Sequence, residues 1–232
     1  MGGSITLGIA ALLTLLPAAL LPFGRRDVLA RRGGFLFWVL LLVATIGPVS
    51  FDISVAGGIW RTGFSATLWT IIGATMVIYL FVCILSAAAR CLSGLLLPYL
   101  VLLALIALAW SSVPDQPLSD NLITAWLRVH IGVSLVTYGL ISISAVAALA
   151  IWVKERALRA HRVSGWSDIL PAVADAEHLQ IRLLIAAEVV LGAGLLTGIA
   201  AQLSASGAII EFDHKTILSV VTFLIIGLLL LL

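Results

Sequence analysis

The stretch Trp126-Leu-Arg-Val-His130 opens a run of about twenty mostly apolar residues that ends at Lys154-Glu-Arg. An α-helix rises about 1.5 Å per residue and the hydrocarbon core of a bilayer is about 30 Å thick, so a helix over Trp126–Lys154 is long enough to span a membrane. Polar residues recur in this helix at every fourth position: His130, Ser134, Tyr138 and Ser142. They share one slowly drifting face, which we expect to meet other protein, a cavity or a ligand, because hydrocarbon cannot satisfy polar groups.

The composition is that of an integral membrane protein. Of the 232 residues, 62% are hydrophobic and only 10% are charged, and the mean hydropathy is +1.21. Ordinary soluble domains are about 45–50% apolar and about 25% charged. The net charge of +2 is small and the basic residues flank the apolar runs, so nothing indicates nucleic-acid binding. We expect one integral-membrane domain over residues 1–232.

Seven apolar runs predict an all-α bundle with seven transmembrane helices. Their bounds are Ser4–Phe23, Gly34–Phe51, Ser65–Ala89, Leu92–Trp110, Trp126–Lys154, Leu183–Leu203 and Thr216–Leu232. A short surface helix is expected at Ala172–Leu179, within the polar connection Lys154–Arg182. The seventh run is still apolar at Leu232 and has no polar flank, so we expect an eighth helix beyond it.

The basic residues predict the orientation. With the N-terminus outside, the inside loops hold ten of the 13 lysines and arginines, and the outside loops and helix mouths hold Arg61, Arg128 and Lys215. Lysine and arginine favour the cytoplasmic side of a membrane. A cleaved secretory signal carries positive charge before its apolar run, and here none precedes it, so we expect a retained first helix.

Two of the four histidines fall at the same predicted depth. His130 and His214 lie at the outer mouths of the fifth and seventh helices, whereas His161 and His178 lie in the long inside loop. Two imidazoles at one depth on different helices can supply both axial ligands of a haem iron, bind a transition metal or relay protons. A histidine at the membrane interface with its tip in water is the simpler alternative for each.

Other polar residues have simple structural explanations beside their functional ones. Arg128 and Arg61 can pair with haem propionates, but arginines at an interface more often extend toward lipid headgroups. Glu188 lies inside the sixth run. One interpretation is a buried acid that is protonated or paired, and the other is an acid with a functional role. Cys83 and Cys91 do not form the C-x-x-C-H motif of covalent haem attachment, and we interpret them as small buried residues.

The motif Trp126-Leu-Arg-Val-His130, with Tyr138 two turns on and a basic exit at Lys154-Glu-Arg-Ala-Leu-Arg, resembles the cytochrome c assembly family of CcsA/CcmC-like haem-handling membrane proteins. A second motif, Phe212-Asp213-His214-Lys215-Thr216, stands where that family carries a tryptophan-rich loop ending in Trp-Asp-Pro-Lys-Glu-Thr. Here the tryptophans are absent and a histidine stands near the proline position. This variant looks like the HemX/YpjD-like branch of small inner-membrane proteins.

The resemblance implies a non-covalent haem b at the outer face, with His130 and His214 as axial ligands and with Arg128 and Tyr138 also at the cofactor. It implies a multi-pass protein of the bacterial inner membrane that handles haem in cytochrome c biogenesis, has no catalytic activity of its own and works with other cytochrome c maturation proteins. Two alternatives stay open. One is a membrane regulator or scaffold of tetrapyrrole synthesis that binds a synthesis enzyme through the inside loop. The other is a small transporter or accessory subunit that uses Glu188 and the polar stripe.

Overall fold

Long apolar helices make up most of the structure, a computed structural model that describes residues 2–24, 34–56, 61–113, 116–117, 125–160, 169–206 and 214–231. The helices in these ranges are α1 (Gly2–Gly24), α2 (Phe35–Ala56), α3 (Phe64–Leu85), α4 (Ala87–Cys91), α5 (Ser93–Ala109), α6 (Ala125–Arg159), α7 (Val173–Ser206) and α8 (His214–Leu231). Two short strands, β1 (Arg61–Thr62) and β2 (Gln116–Pro117), pair antiparallel and join the connection before α3 to the one after α5.

The helices match the requirements of a membrane. Within the described ranges, α1, α2, α3, α6 and α7 are long and apolar enough to cross a bilayer, while α5 and the Thr216–Leu231 part of α8 are shorter apolar helices. All seven predicted apolar runs therefore form helices, and the predicted all-α polytopic membrane bundle is confirmed. Hydrocarbon offers no partner to backbone N–H and C=O groups, so a run of this kind adopts the helix, which satisfies them internally.

The helices pack largely in chain order. α1 contacts α2 and α5, α2 contacts α3, α3 contacts α5 and α6, α6 contacts α7, and α7 contacts α8. The centre of the core lies between α3, α5 and α6, where the following side chains are almost fully buried: Trp69, Ile72, Met76, Tyr79, Leu96, Leu97, Leu100 and Ile143. α7 and α8 therefore lie at one side of the bundle, with α8 packed on the outer side of α7.

The prediction of an unbroken third helix to Ala89 is wrong, because α3 ends before Ser86. Ser86 is extended, with φ −134° and ψ 125°, and α4 follows as a separate five-residue helix. Tyr79 Oη donates a hydrogen bond to the carbonyl oxygen of Ala89 at 2.9 Å. Arg90 Nε donates to the carbonyl oxygen of Cys83 at 2.9 Å and so satisfies one of the last carbonyls of α3, which have no partner within the helix. Tertiary hydrogen bonds therefore stabilise this break.

α6 and α7 are longer than predicted. α6 continues to Arg159 and α7 begins at Val173, so the predicted surface helix Ala172–Leu179 is the start of α7 and not a separate element. In this segment Ala176 is buried while Asp175 is exposed, and the apolar face extends the helix through a polar sequence. With 35 and 34 residues, the two helices are each roughly 50 Å long, so their charged ends extend beyond the bilayer core.

Gly47 of α2 permits the close approach of α1. A Cβ atom at Gly47 would overlap Thr14 Oγ1 and lie 2.8 Å from Thr14 Cβ, which cannot rotate away. Gly47→Ala is therefore expected to lower the free energy of unfolding by about 1–3 kcal/mol, the usual cost of overpacking. Gly73→Ala is the control, because its Cβ would meet Val49 Cγ2 at an ordinary 3.6 Å. Thermal unfolding in detergent measures the difference, and equal midpoints for the two variants would contradict the prediction.

Candidate functional site

His130 lies near the start of α6 and faces α7. Its Nδ1 atom is 3.0 Å from the carbonyl oxygen of Gly194 and 3.4 Å from Thr197 Oγ1. A carbonyl oxygen can only accept a hydrogen bond, so Nδ1 carries the proton and donates it. In the neutral imidazole the other nitrogen, Nε2, then keeps its lone pair, which is the form in which histidine binds a metal.

Gly194 and Gly198, which we call the glycine pair, allow α6 to approach α7 closely, and Gly198 leaves the space that the imidazole occupies. A Cβ atom at Gly198 would be 3.0 Å from His130 Cε1 and 3.3 Å from Nδ1. A Cβ atom at Gly194 would be 3.4 Å from Val133 Cγ1. Thr197 Oγ1 donates to the carbonyl oxygen of Gly194 at 3.0 Å, so one carbonyl orients both side chains.

The small-x-x-x-small spacing of Gly194 and Gly198 predicts close helix packing, which the structure shows, but the spacing alone does not link the glycine pair or Thr197 to His130. A small-x-x-x-small spacing allows two helices to approach closely, and here it allows α6 to place His130 against α7. One feature of the sequence points to the contact between His130 and the glycine pair. The glycine pair lies toward the predicted outer end of the sixth run, and His130 lies at the predicted outer end of the fifth run.

The residues of the predicted polar stripe of α6 lie in different environments in the structure. His130 meets α7, and Ser134 Oγ donates to the carbonyl oxygen of His130 at 2.8 Å, a bond within α6. Tyr138 is 55% exposed, so the described residues do not cover it. The buried polar side chains of α6 are instead Thr137 and Ser144. Because a helix turns by about 100° per residue, a shift of one position is enough to move a side chain from the core to the surface.

The structure does not bring Arg128 to His130. Arg128 is exposed and precedes His130 by two residues, and residues at i and i+2 do not share a helix face. Arg61 contributes its backbone to β1, where it pairs with Pro117, while its side chain lies outside the described part of the structure. A role for Arg128 at a cofactor therefore stays a prediction.

The first residue of α8 is His214, whose side chain lies outside the described part of the structure. Two contacts define how α8 packs on α7. A Cβ atom at Gly192 would be 3.3 Å from Phe223 Cε2, and one at Gly227 would be 3.2 Å from Glu188 Oε1. The two helices are therefore antiparallel, because a step of four residues toward the N-terminus of α7, from Gly192 to Glu188, corresponds to a step of four residues toward the C-terminus of α8, from Phe223 to Gly227.

This register places the backbone of His214 at the same end of the bundle as His130. His214 precedes Phe223 by nine residues, so it lies level with residue 201 of α7, nine residues after Gly192. Residue 201 follows Gly198 by three positions, or about 4.5 Å along the helix axis. The two histidines thus stand on helices that flank α7, at depths that differ by about one to two turns.

α6 and α8 pack on different faces of α7. The glycine pair contacts α6, whereas Glu188 and Gly192 contact α8. At 100° per residue these two faces are about 120° apart. The strip of α7 between them carries Leu191 and Leu195, which are half-buried. The three helices therefore form a groove with an apolar floor on α7, walls on α6 and α8, and His130 near one end.

The described side chains offer no ready-made site for a bare ion. Among the residues within the described ranges, no cluster of three or more histidines, cysteines, aspartates or glutamates could hold a metal ion. A haem has different needs, because the porphyrin supplies the equatorial ligands and the protein supplies only the axial ones. One histidine with a fixed ring, beside an apolar groove, is suitable for that role.

The fold and this site define a multi-pass membrane helix bundle with a histidine held at a groove between helices. A family model described as "Cytochrome C assembly protein" matches residues 34–232. A protein of Azospirillum brasilense, described as an uncharacterized 28.8 kDa protein in the nifR3-like 5′ region, is 38% identical over 231 residues, which are 98% of this chain and 84% of that protein. No solved structure gives a significant match. The chain belongs to the cytochrome c assembly protein family, and this membership supports a role in cytochrome c biogenesis.

Proposed function

We propose that this protein binds haem b non-covalently in the groove between α6 and α8 and handles it in cytochrome c biogenesis, and that His130 and His214 would hold the haem iron. The observation that carries the proposal is the hydrogen bond from His130 Nδ1 to the carbonyl oxygen of Gly194, at 3.0 Å. It orients the ring and leaves Nε2 as the ligating nitrogen, an arrangement typical of metal-binding histidines.

The rest of the groove suits a flat and largely apolar cofactor. Leu191 and Leu195 give it an apolar floor, and haem burial against such residues is favourable. Tyr138 lies eight residues from His130, about 12 Å along α6, and its exposed ring is available to a bound ligand. A bound haem would supply the reversible one-electron chemistry of its iron, while this chain would bind the cofactor, orient it and shield one side of it from water.

In this proposal the His130 end of the bundle faces the outside of the bacterial inner membrane, and the N-terminus lies on the same side. The excess of lysine and arginine near the other end of the helices supports this orientation. The partners are the bilayer, haem and other cytochrome c maturation proteins, which would supply or receive the haem. We assign the chain binding and transfer of haem and no catalytic step of its own.

An absorption spectrum tests the proposal. The full chain, purified in detergent and reconstituted with haem b, is expected to show a Soret band and sharp α and β bands after reduction. The His130→Ala/His214→Ala double variant is expected to lose these bands while it still elutes as a folded protein in size-exclusion chromatography. Unchanged bands in the folded double variant would overturn the assignment of the ligands.

The charged ends of α6 and α7 favour a second function, that of a membrane regulator or scaffold of tetrapyrrole synthesis. Both helices extend beyond a bilayer core, and exposed charges such as Arg156 and Glu177 lie on this extension. This extension of α6 and α7 offers a polar helical surface to which a soluble synthesis enzyme would bind. Recovery of such an enzyme with the wild-type chain but not with Arg156→Glu, from a protein that binds no haem, would favour this function over the first.

A further inference from the structure

A carboxyl group lies inside the membrane-spanning part of α7. Glu188 follows Arg182, the last basic residue before the apolar stretch, by six positions, or about 9 Å along the helix. Its Oε2 atom is buried and has no hydrogen-bond partner among the described residues. Its Oε1 atom lies 3.2 Å from where a Cβ at Gly227 of α8 would stand. The absence of a side chain at Gly227 therefore leaves room for the carboxyl group between the two helices.

Among the described residues, none near Glu188 supplies a charge to balance a carboxylate. The neighbouring side chains of α8, Phe223 and Ile226, are apolar. The contacts of His130 with Gly194 and of Ser144 with Gln180 fix the antiparallel register of α6 and α7. In this register the titratable residue of α6 nearest to the level of Glu188 is Tyr138. On α7 itself the nearest basic residue is Arg182, which is exposed.

A carboxyl group in such a place is far more stable as the neutral acid than as the ion. An isolated charge in apolar surroundings is very costly, and the usual response is to take up a proton. Glu188 as a whole is half-buried, with only Oε2 fully covered, so the neutral acid can remain packed against Gly227, whereas a carboxylate would need water or a cation beside α8.

We propose that Glu188 is a proton-binding site of this protein, in which the neutral carboxylic acid holds its proton at the α7–α8 interface. The proton comes from water on the Arg182 side, and its release to water leaves the carboxylate. The site is separate from the proposed haem ligand His130, because Glu188 lies six residues, about 9 Å, along α7 from Gly194.

Dicyclohexylcarbodiimide tests the site in proteoliposomes at pH 7, because this apolar reagent adds to protonated carboxyl groups within membranes. The acid adds across one C=N bond, its proton going to nitrogen and its oxygen to carbon, so the adduct retains the whole reagent and is located by mass spectrometry. Glu177, exposed and three turns earlier on α7, is the internal control. A glutamate in water is protonated in roughly one molecule in 500 at pH 7, so Glu188 is expected to react more than about tenfold faster than Glu177.

Two variants separate a proton site from a merely structural residue. Glu188→Gln is neutral and of the same shape, so it should keep the thermal midpoint of the wild type, whereas Glu188→Lys should lower it. His130→Ala should leave the labelling of Glu188 unchanged, which makes this result independent of haem binding. The absence of an adduct on Glu188, equal labelling of Glu177, or a Glu188→Gln variant as unstable as Glu188→Lys would overturn the proposal.

Discussion

Replacement of His130 by alanine is expected to remove the bis-histidine absorption spectrum and to weaken haem binding by at least about tenfold, or about 1.4 kcal/mol. The substitution removes the nitrogen that we assign to the iron. It leaves the carbonyl oxygen of Gly194 with Thr197 Oγ1 as a hydrogen-bond donor, so no buried acceptor is stranded and the fold should persist. Titration of the purified apoprotein with haem measures the change in affinity.

His178→Ala is the matched control for this experiment. His178 is exposed, and its Nδ1 lies 2.7 Å from the carbonyl oxygen of Ala174, within its own helix and at the opposite end of α7 from the glycine pair. We expect this variant to bind haem as the wild type does. Wild-type affinity and sharp reduced bands in His130→Ala would exclude His130 as a ligand, and an equal loss in both variants would show that the effect is not specific.

Gly198→Leu is expected to have nearly as large an effect as His130→Ala, although it changes no ligand. A Cβ atom at this position would already be 3.0 Å from His130 Cε1, so a leucine would displace the imidazole and break its hydrogen bond to Gly194. Loss of a contact that orients a metal ligand typically lowers metal affinity by about 10–100-fold. Gly198→Ala should have a smaller effect of the same kind.

Gly132→Leu is the control for the glycine substitution. Gly132 also lies in a spanning helix, two residues after His130, but no atom of the described residues lies within 4 Å of its Cβ position. The added side chain should therefore leave haem affinity and the reduced spectrum unchanged. If Gly198→Leu and Gly132→Leu had the same effect in the haem titration, the contact between the glycine pair and His130 would have no part in haem binding.

The fold class and most helix positions could be predicted from the apolar runs. The second run was expected at Gly34–Phe51 and forms α2 over Phe35–Ala56, and the fourth was expected at Leu92–Trp110 and forms α5 over Ser93–Ala109. Such runs are predictable because hydrocarbon allows a single chain segment few alternatives to a helix. The errors lie at Ser86 and at residues 173–182, where hydrogen bonds and packing from other helices decide whether a helix ends or continues.

The site was predicted only in part. His130 could be singled out because an imidazole at a helix mouth in a polar stripe is unusual, and its role as a ligand stays a prediction. Its acceptor Gly194 and the contact with Gly198 could not be derived, because they depend on which helix packs beside α6 and in what register. The exposure of Tyr138 was missed for the same reason.

Apolar length and local motifs are properties of contiguous residues, so they are enough to indicate a multi-pass helix bundle of the cytochrome c assembly family. The packed helices are needed to see that α6 and α8 flank α7 on faces about 120° apart and so leave a groove beside His130. They are also needed to see that Glu188 lies against Gly227. Contacts of this kind join residues far apart in the chain, and their geometry depends on the rotation and register of whole helices.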